Sequence, residues 1–390
     1  MNKAYIVDAV RTPVGRKKGG LAAVHPADLG AHVLGNLVRR TGIDPADVDD
    51  VVMGCLDNIG PQSGCIARTS WLAAGLPESV PGVTIDRQCG SSQQAVHFAA
   101  QAVMSGTADM VVAAGVQNMS MIPISVSMRM GEALGLAPDP FSQSKGWVAR
   151  YGDQPVSQFA GAERIAERWD ISRREMEELA LESHRRAVRA IDEGRFIGEI
   201  AAFGDVSVDE GPRRETSLER MAALAPLSEG GRITAAVSSQ ISDGAAALLV
   251  VNDQALDDHG LTPLATVHHL SVVADDPLIM LTGPIAATRR ALARTGLSLD
   301  DIGVIEVSEA FACVVLAWER EFKADLDRVN PNGGAIALGH PVGASGARVM
   351  TTMLGEMRRT GSRFGLQVMC EGGGMSNVTI LELHEGGARR

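Results

Sequence analysis

Residues 83–115 read VTIDRQCGSSQQAVHFAAQAVMSGTADMVVAAG, and they decide the fold class. The β-branched run VTI predicts a strand. A turn with Cys89 and Gly90 at its tip follows, then a helix rich in Ala and Val that begins near Ser91 and Ser92. MVVAAG returns as a second strand. The same arrangement recurs in residues 336–373, IALGHPVGASGARVMTTMLGEMRRTGSRFGLQVMCEGG, read as strand, turn, helix and strand. A further pair precedes them. RRTGIDPADVDDVVMGCL (39–56) and ARTGLSLDDIGVIEVSEA (293–310) both place RTG, an acidic segment and an apolar strand in register. Strands alternating with helices at this spacing imply parallel sheets flanked by helices. Short echoes such as RTG arise by chance; it is the run of matched elements that favours two similar α/β halves with an active site between them.

Residues 117–245 break the pattern. The stretch 118–153 is rich in Met, Pro, Gly and Ser with weak periodicity. A helix pair follows at 157–170 and 172–194, the second opened by Ser172 with Glu175 completing a capping box and closed at Gly194. This region reads as an insertion covering a site, its methionines lining an acyl pocket or simply packing a core. The expected division is a first half over 1–265, carrying the insertion, and a second half over 266–390.

The composition suits this reading. The chain has 390 residues, 45% of them hydrophobic, with 43 glycines and only 4% aromatic residues, as closely packed Ala/Val/Gly-rich α/β layers require. A net charge of −11 argues against a nucleic-acid partner. The five cysteines, Cys55, Cys65, Cys89, Cys313 and Cys370, are widely spaced with no CxxC, which implies neither a disulfide framework nor a metal site and fits a reducing cytoplasm. No apolar run approaches the roughly 18–20 residues of a membrane span. The first residues contain a strand-like YIVDAV and no signal-peptide core.

Three residues stand in settings that support chemistry. Cys89, between strand and helix, occupies the place of a nucleophile elbow, where the helix dipole favours the thiolate. His340 lies on a bend shaped by Gly339 and Pro341, before GASGA opens another helix. Cys370 ends a strand before 371-EGGG-374, in what reads as the second half's counterpart of the Cys89 loop, and successive glycines there can present N–H groups to an oxyanion. A cysteine acting as a small buried hydrophobe is the alternative at either thiol, and Cys313, within EAFACVVLAW (309–318), reads as core. Two thiols and an imidazole suit covalent acyl transfer with a separate proton transfer.

DRQCGSSQQAV, SEAFA, NPNGGAIALGHPVGASGAR and CEGGGMSN occur in this order, with AVRTPVGRKKGGL at the start and SSQISDGAAALLV between. Together they resemble the thiolases, coenzyme A-dependent acetyl- and acyltransferases, over essentially the whole chain. The resemblance implies a duplicated five-layer αβαβα fold with a loop domain inserted in the first half. It implies that Cys89 is acylated, that His340 activates it and helps bind the thioester oxygen, and that Cys370 moves protons at the acyl Cα or the CoA thiol. The main-chain N–H groups of Cys89 and Gly372 would form one oxyanion hole. Arg213 and Ser239 fall where the family contacts the nucleotide and pantetheine of CoA. CoA is then a substrate and no cofactor is required. A homodimer or homotetramer is expected, with association with other β-oxidation enzymes a further possibility.

Two departures stand out. The family commonly has Asn where this chain has Ser308; that Asn holds the water of the second oxyanion hole, and a serine offers a hydroxyl in place of an amide. Short-chain biosynthetic thiolases carry a His-Met pair where Ser157 and Gln158 align here, which favours an acyl-CoA other than acetoacetyl-CoA. The expected reaction is acyl-CoA + acetyl-CoA ⇌ 3-oxoacyl-CoA + CoA through an acyl-Cys89 thioester. The rivals are a ketoacyl synthase-like condensing enzyme, which Cys370 disfavours, and a non-catalytic CoA-ester or lipid carrier, which the full Cys89, His340 and Cys370 set disfavours.

Overall fold

A computed structural model describes residues 2–384. The first half contains β1 (Tyr5–Arg11), β2 (Gly15–Arg16), β3 (Asp50–Gly54), β4 (Gly82–Ile85), β5 (Met110–Asn118) and β6 (Ser242–Val251). The second half contains β7 (Ala265–Ala274), β8 (Ile302–Val307), β9 (Phe364–Glu371) and β10 (Met375–Leu383). The strand order is β4-β3-β5-β6-β1-β7-β10-β9-β8, with β2 beside β6.

The duplication is visible in the pairing. In the first half β3 and β5 are parallel, while β5–β6 and β6–β1 are antiparallel. In the second, β8 and β9 are parallel, while β9–β10 and β10–β7 are antiparallel. Two residue pairs, Tyr5↔Thr266 and Ile6↔Ala265, join the halves through β1 and β7. The parallel partner of β3 is β4, and its second-half equivalent shrinks to one bridge, Ile305↔Val329.

Helices fill three layers around these strands. Pro26–Thr41 covers the outer face of the first half, burying Leu29, Val33, Leu34 and Leu37 against Val51, Met53, Val112 and Ala114. Gly283–Thr295 and Ala312–Phe322 cover the second half, where Ala287, Ala291 and Trp318 meet Ile305, Leu366 and Val378. Between the halves lie Ser91–Ser105 and Ser345–Thr360. They share a core of Ala95, Val96, Ala99, Ala347, Met350 and Met353 with Val52, Val111 and Ala113. Alternate residues of one strand thus enter different cores, so β5 and β6 are buried at every position and read as continuous apolar runs. The layers are the αβαβα arrangement expected.

The centre is joined backbone to backbone. A Cβ on Gly346 would fall 2.3 Å from the main-chain N of Gln93, one on Gly115 2.5 Å from Gly343 O, and one on Gly54 2.4 Å from Ser92 N. Glycine is required there for space and not for φ.

The insertion runs from the end of β5 to the start of β6. Its helices span Gln158–Arg168 and Arg173–Asp192, and both bonds of the Ser172–Glu175 capping box form. Ala162, Ile165, Met176 and Ala180 pack on Phe311, Cys313, Val314 and Cys370, so the insertion closes over one proposed site residue. Its far end is held by a buried cation: Arg11 Nε bonds Glu199 at 2.7 Å and Nη1 bonds Asp209 at 2.7 Å.

Two expectations need correction. Residues Ala335–Leu338 form a short helix, not a strand; Gly333 at φ +79° and Gly339 at φ +100° turn the chain on either side and leave no extended run to pair. The counterpart of the Cys89 turn is therefore the loop from Val329 to Ser345, which carries His340. Cys370, at the end of β9, corresponds to the end of β5 and is not the duplicate of Cys89.

Candidate active site

Cys89 sits in a tight turn between β4 and the Ser91 helix. Gln88 adopts a left-handed φ of +48°, a strain of about 1–3 kcal/mol that surrounding bonds must hold. Gln88 N–H donates to Asp86 Oδ1 at 2.8 Å, Arg87 N–H to Ser91 Oγ at 2.9 Å, and Ser91 Oγ–H to Gln88 O at 2.6 Å. Leu56, Met119 and Val342 form the buried apolar cluster against which Cys89 packs. Burial pushes the Cys89 thiol up, and the nearby Cys370 and Glu371 add to it. Although Cys89 is only partly buried, this desolvation opposes the N-terminal field on which the expectation of a thiolate rested, and a neutral thiol needs a base to take its proton.

His340 is arranged as a proton acceptor. Ser345 Oγ–H donates to Pro341 O at 2.9 Å and lies 2.7 Å from His340 Nδ1. Its single proton being used, Ser345 accepts from Nδ1–H, and this assigns the lone pair to Nε2. Nε2 is buried, and among the described residues it has no hydrogen-bond partner. Burial, aided by Arg348, lowers the imidazole to about 4, so it is neutral at physiological pH. Gly339 at φ +100° makes the bend, and a Cβ there would meet Ser242 Oγ at 2.3 Å.

Cys370 is fully buried on β9, and its Sγ–H donates to Ser308 Oγ at 3.4 Å. Burial pushes this thiol up to about 11, against the lowering effect of Ser308. Ser308 is held by its own N–H, which donates to Val368 O at 3.0 Å. Gly372 lies against the Cys89 turn, since a Cβ there would fall 2.7 Å from Gln88 Oε1. Cys89, Cys370 and Gly372 therefore gather at one place.

Arg213 and Ser239 lie on the insertion side. A cleft of about 540 Å³ is lined by His184, Arg213, Arg214, Arg220, Gln240 and Ile336 among others. Arg213 N–H donates to His184 Nδ1 at 3.1 Å. Ser239, beside this cleft, donates its N–H to Ala310 O at 2.9 Å. Gln240 connects cleft and centre: its carbonyl accepts His340 N–H at 3.2 Å, and its Nε2 donates to Gly211, Ile336 and Ala337 carbonyls. Ser157 caps the Gln158 helix, whose Phe159 ring meets Phe311 edge-on at 5.6 Å.

Sequence reasoning missed Ser345, Gln240 and Glu371. The only signal for Ser345 is its place at the start of a helix five residues after His340; nothing local marks the other two. Among the described residues no group of three His, Cys, Asp or Glu side chains could hold a metal ion, and no helix is long and apolar enough to cross a membrane.

Residues 4–254 match the thiolase N-terminal domain, and residues 261–383 match the thiolase C-terminal domain. The chain belongs to the thiolase family. It is an acyltransferase, similar along its length to several relatives. A steroid 3-ketoacyl-CoA thiolase of Mycobacterium tuberculosis is 62% identical over 98% of this chain and 94% of its own length. A 3-oxoadipyl-CoA/3-oxo-5,6-dehydrosuberyl-CoA thiolase of Escherichia coli is 40% identical over 98% of this chain and its own full length. The crystal structure of the Bacillus anthracis acetyl-CoA acetyltransferase superposes with a TM-score of 0.86 at 33% identity, covering 98% of this thiolase and 99% of that chain.

Proposed function

We propose that this thiolase cleaves a 3-oxoacyl-CoA with CoA, releasing acetyl-CoA and an acyl-CoA two carbons shorter, or runs the reverse condensation. Cys89 Sγ attacks the 3-oxo carbon as its proton passes to His340 Nε2. The C2–C3 bond breaks, and its electron pair goes to C2 of the departing acetyl-CoA, which takes the proton of Cys370. The shortened acyl group is left as a thioester on Cys89. CoA then gives its thiol proton to the Cys370 thiolate and attacks that thioester, and Cys89 recovers its proton from His340. Every proton has a carrier, and no redox step or metal enters.

The observation that carries this reading is a neutral imidazole with a buried Nε2 that no described group bonds, on the loop whose Val342 packs with Cys89, a thiol raised by the nearby Cys370. Positioned acid–base groups of this kind supply about 10²–10⁴ in rate. Main-chain N–H groups of Cys89 and Gly372 would receive the thioester oxygen. Ser308 takes a part beyond any water it holds: its hydroxyl accepts from the Cys370 thiol and, once that proton leaves, rotates to donate to the thiolate. The cleft holding Arg213 and Arg220 suits the phosphates of CoA, with Gln240 and Ser239 lining the way inward for pantetheine.

The name of the 62% identical relative makes a ring-bearing acyl group the first substrate class to test. The edge of β4 supports a homo-oligomer. Beyond β4 no strand pairs among the described residues, and Val83, Leu72 and Phe98 are 41%, 41% and 42% exposed there. An open apolar edge of this kind pairs readily with a second copy.

The test is CoA-dependent cleavage of a panel of short, long and ring-bearing 3-oxoacyl-CoA thioesters, with mass spectrometry of the trapped enzyme. Cleavage with the acyl adduct on Cys89, lost in Cys89→Ala, is expected. Binding of CoA esters without cleavage, or an adduct on another cysteine, would overturn the assignment.

A further inference from the structure

Glu371 has no part in the transfer just described, yet it follows Cys370 in the chain and lies against Gly90, the neighbour of Cys89. The pleat of β9 turns it away from Cys370 toward the central helices, where the carboxyl is completely buried. Oε1 accepts the Asn377 main-chain N–H at 2.9 Å, while Oε2 has no partner. The side-chain Oδ1 of Asn377 is another buried acceptor without a partner, because its Nδ2 faces Gln94 and His97. Both side chains press on Gly90. A Cβ there would fall 1.9 Å from Glu371 Oε1 and 3.0 Å from Asn377 Oδ1, although the φ of Gly90 is an ordinary −91°. The absent side chain makes room for the carboxyl under the turn that carries Cys89.

The charged and titratable groups around it are few. Cys89, Arg87 and, one step further, Asp86 belong to that turn; Cys370 is on β9; His97 on the Ser91 helix reaches it through Asn377. Asp275, after β7, meets the loop only through its N–H to Gly374 O. Among the described residues no ion pair reaches Glu371. Arg87 acts from a distance, with its Nε buried and unpartnered and its Nη1 on Met375 Sδ at 3.5 Å. A buried anion facing a second acceptor is costly, and a proton on the carboxyl supplies the donor this pair lacks.

We propose that Glu371 is a positioning residue of the acyl transfer, a neutral carboxylic acid that props the Cys89 turn and, by staying uncharged, leaves both thiols free to ionise. Burial pushes the carboxyl up to about 8, with the Asn377 N–H and Arg87 opposing. Its anion in turn raises both Cys89 and Cys370. Below pH 8 the uncharged acid predominates; as pH rises through 8, its ionisation increasingly opposes the thiolates. The inference rests on the reading of Cys89 as acyl acceptor and Cys370 as proton carrier.

The experiment follows iodoacetamide alkylation of Cys89 and Cys370, resolved by mass spectrometry, from pH 6.5 to 10 in the full-length protein and its Glu371→Gln and Glu371→Ala variants. Glutamine keeps the shape and cannot ionise. The ratio of the Glu371→Gln rate to wild type should climb through pH 8 and reach about tenfold by pH 9.5, a one-unit shift of the thiol. Glu371→Ala, which removes the prop, should lower kcat for thiolysis at pH 7 with KM little moved, and Glu371→Gln should restore most of it. Parallel alkylation curves for wild type and Glu371→Gln, or a Glu371→Gln enzyme as impaired as Glu371→Ala at pH 7, would overturn the proposal. Diverging alkylation curves in a protein that cleaves no thioester would keep the coupling of Glu371 to the thiols while overturning the acyl transfer on which the proposal rests.

Discussion

The turn after β4 and the loop before the Ser345 helix occupy the same place in the two halves, and they differ in what they present. The first is short, pinned by Ser91 and Asp86, and offers a thiol at Cys89. The second is long, contains the small helix Ala335–Leu338, and offers an imidazole at His340. Because the helices they open pack side by side in the central layer, the equivalent slots come together. Duplication supplies two matching positions; divergence puts a thiol at one and an imidazole at the other. The strand ends show the same split. At the end of β5, Asn118 Nδ2 donates to the Leu21, Ala22 and Val24 carbonyls and only holds a loop. At the end of β9, the matching region carries Cys370.

If the second slot supplies the base, removing its imidazole should hurt most. His340→Asn is expected to slow single-turnover acylation of Cys89 by about 10³-fold, read by rapid quench and mass spectrometry. The same experiment tests the sign of the histidine's shift. With His340 lowered to about 4, Nε2 is unprotonated at higher pH, so wild-type acylation should hold down to about pH 5 and fall only below it. An acid limb near 6.5 would mean that the ring is not desolvated as described.

The next effect tests the anchoring of the insertion on the first half. Asp209→Asn leaves Arg11 buried with half of its counter-charge, and loss of one partner from a buried pair costs about 3–5 kcal/mol. Denaturant unfolding should show it as a lower midpoint. An unchanged midpoint would show that Glu199 alone satisfies Arg11. The smallest effect concerns the tautomer. Ser345→Ala removes the acceptor of Nδ1–H, and kcat should drop about tenfold with KM nearly constant, the loss of one oriented hydrogen bond. No change in kcat would mean that the loop geometry alone orients the ring.

Much of this was legible because it is local. Helix caps such as Ser172 and Glu175, glycine stops and apolar strand runs act within a few residues of themselves, so the alternation, the insertion and its helix pair could be read along the chain. The thiols and His340 were conspicuous for their glycine-rich settings. What escaped depends on residues far apart in sequence. IALG reads as a strand until Gly333 and Gly339, both at positive φ, are seen to turn the chain on either side of it. Matching Cys370 to Cys89 failed because a shared glycine-rich look says nothing about strand order. Cys89 was expected to ionise easily, since its helix is visible in the sequence and the desolvation supplied by Leu56, Met119 and Val342 is not.

The glycine contacts at the centre have a consequence for how such an enzyme can change. Where Gly54 and Gly115 meet the two central helices, and where Gly346 meets Gln93, no position accepts even a methyl group without displacing main chain. Single substitutions there are closed to gradual variation, and the relative placement of nucleophile and base is locked with them. The insertion shares this constraint only in part: Gly161 and Gly211 also meet main chain, at Ile279 O (2.5 Å) and Ala337 O (2.4 Å), while none of residues 123–160 is buried. New substrates are therefore reached by redrawing residues 123–160 over an unchanging centre, and a library meant to alter acyl preference belongs in that segment.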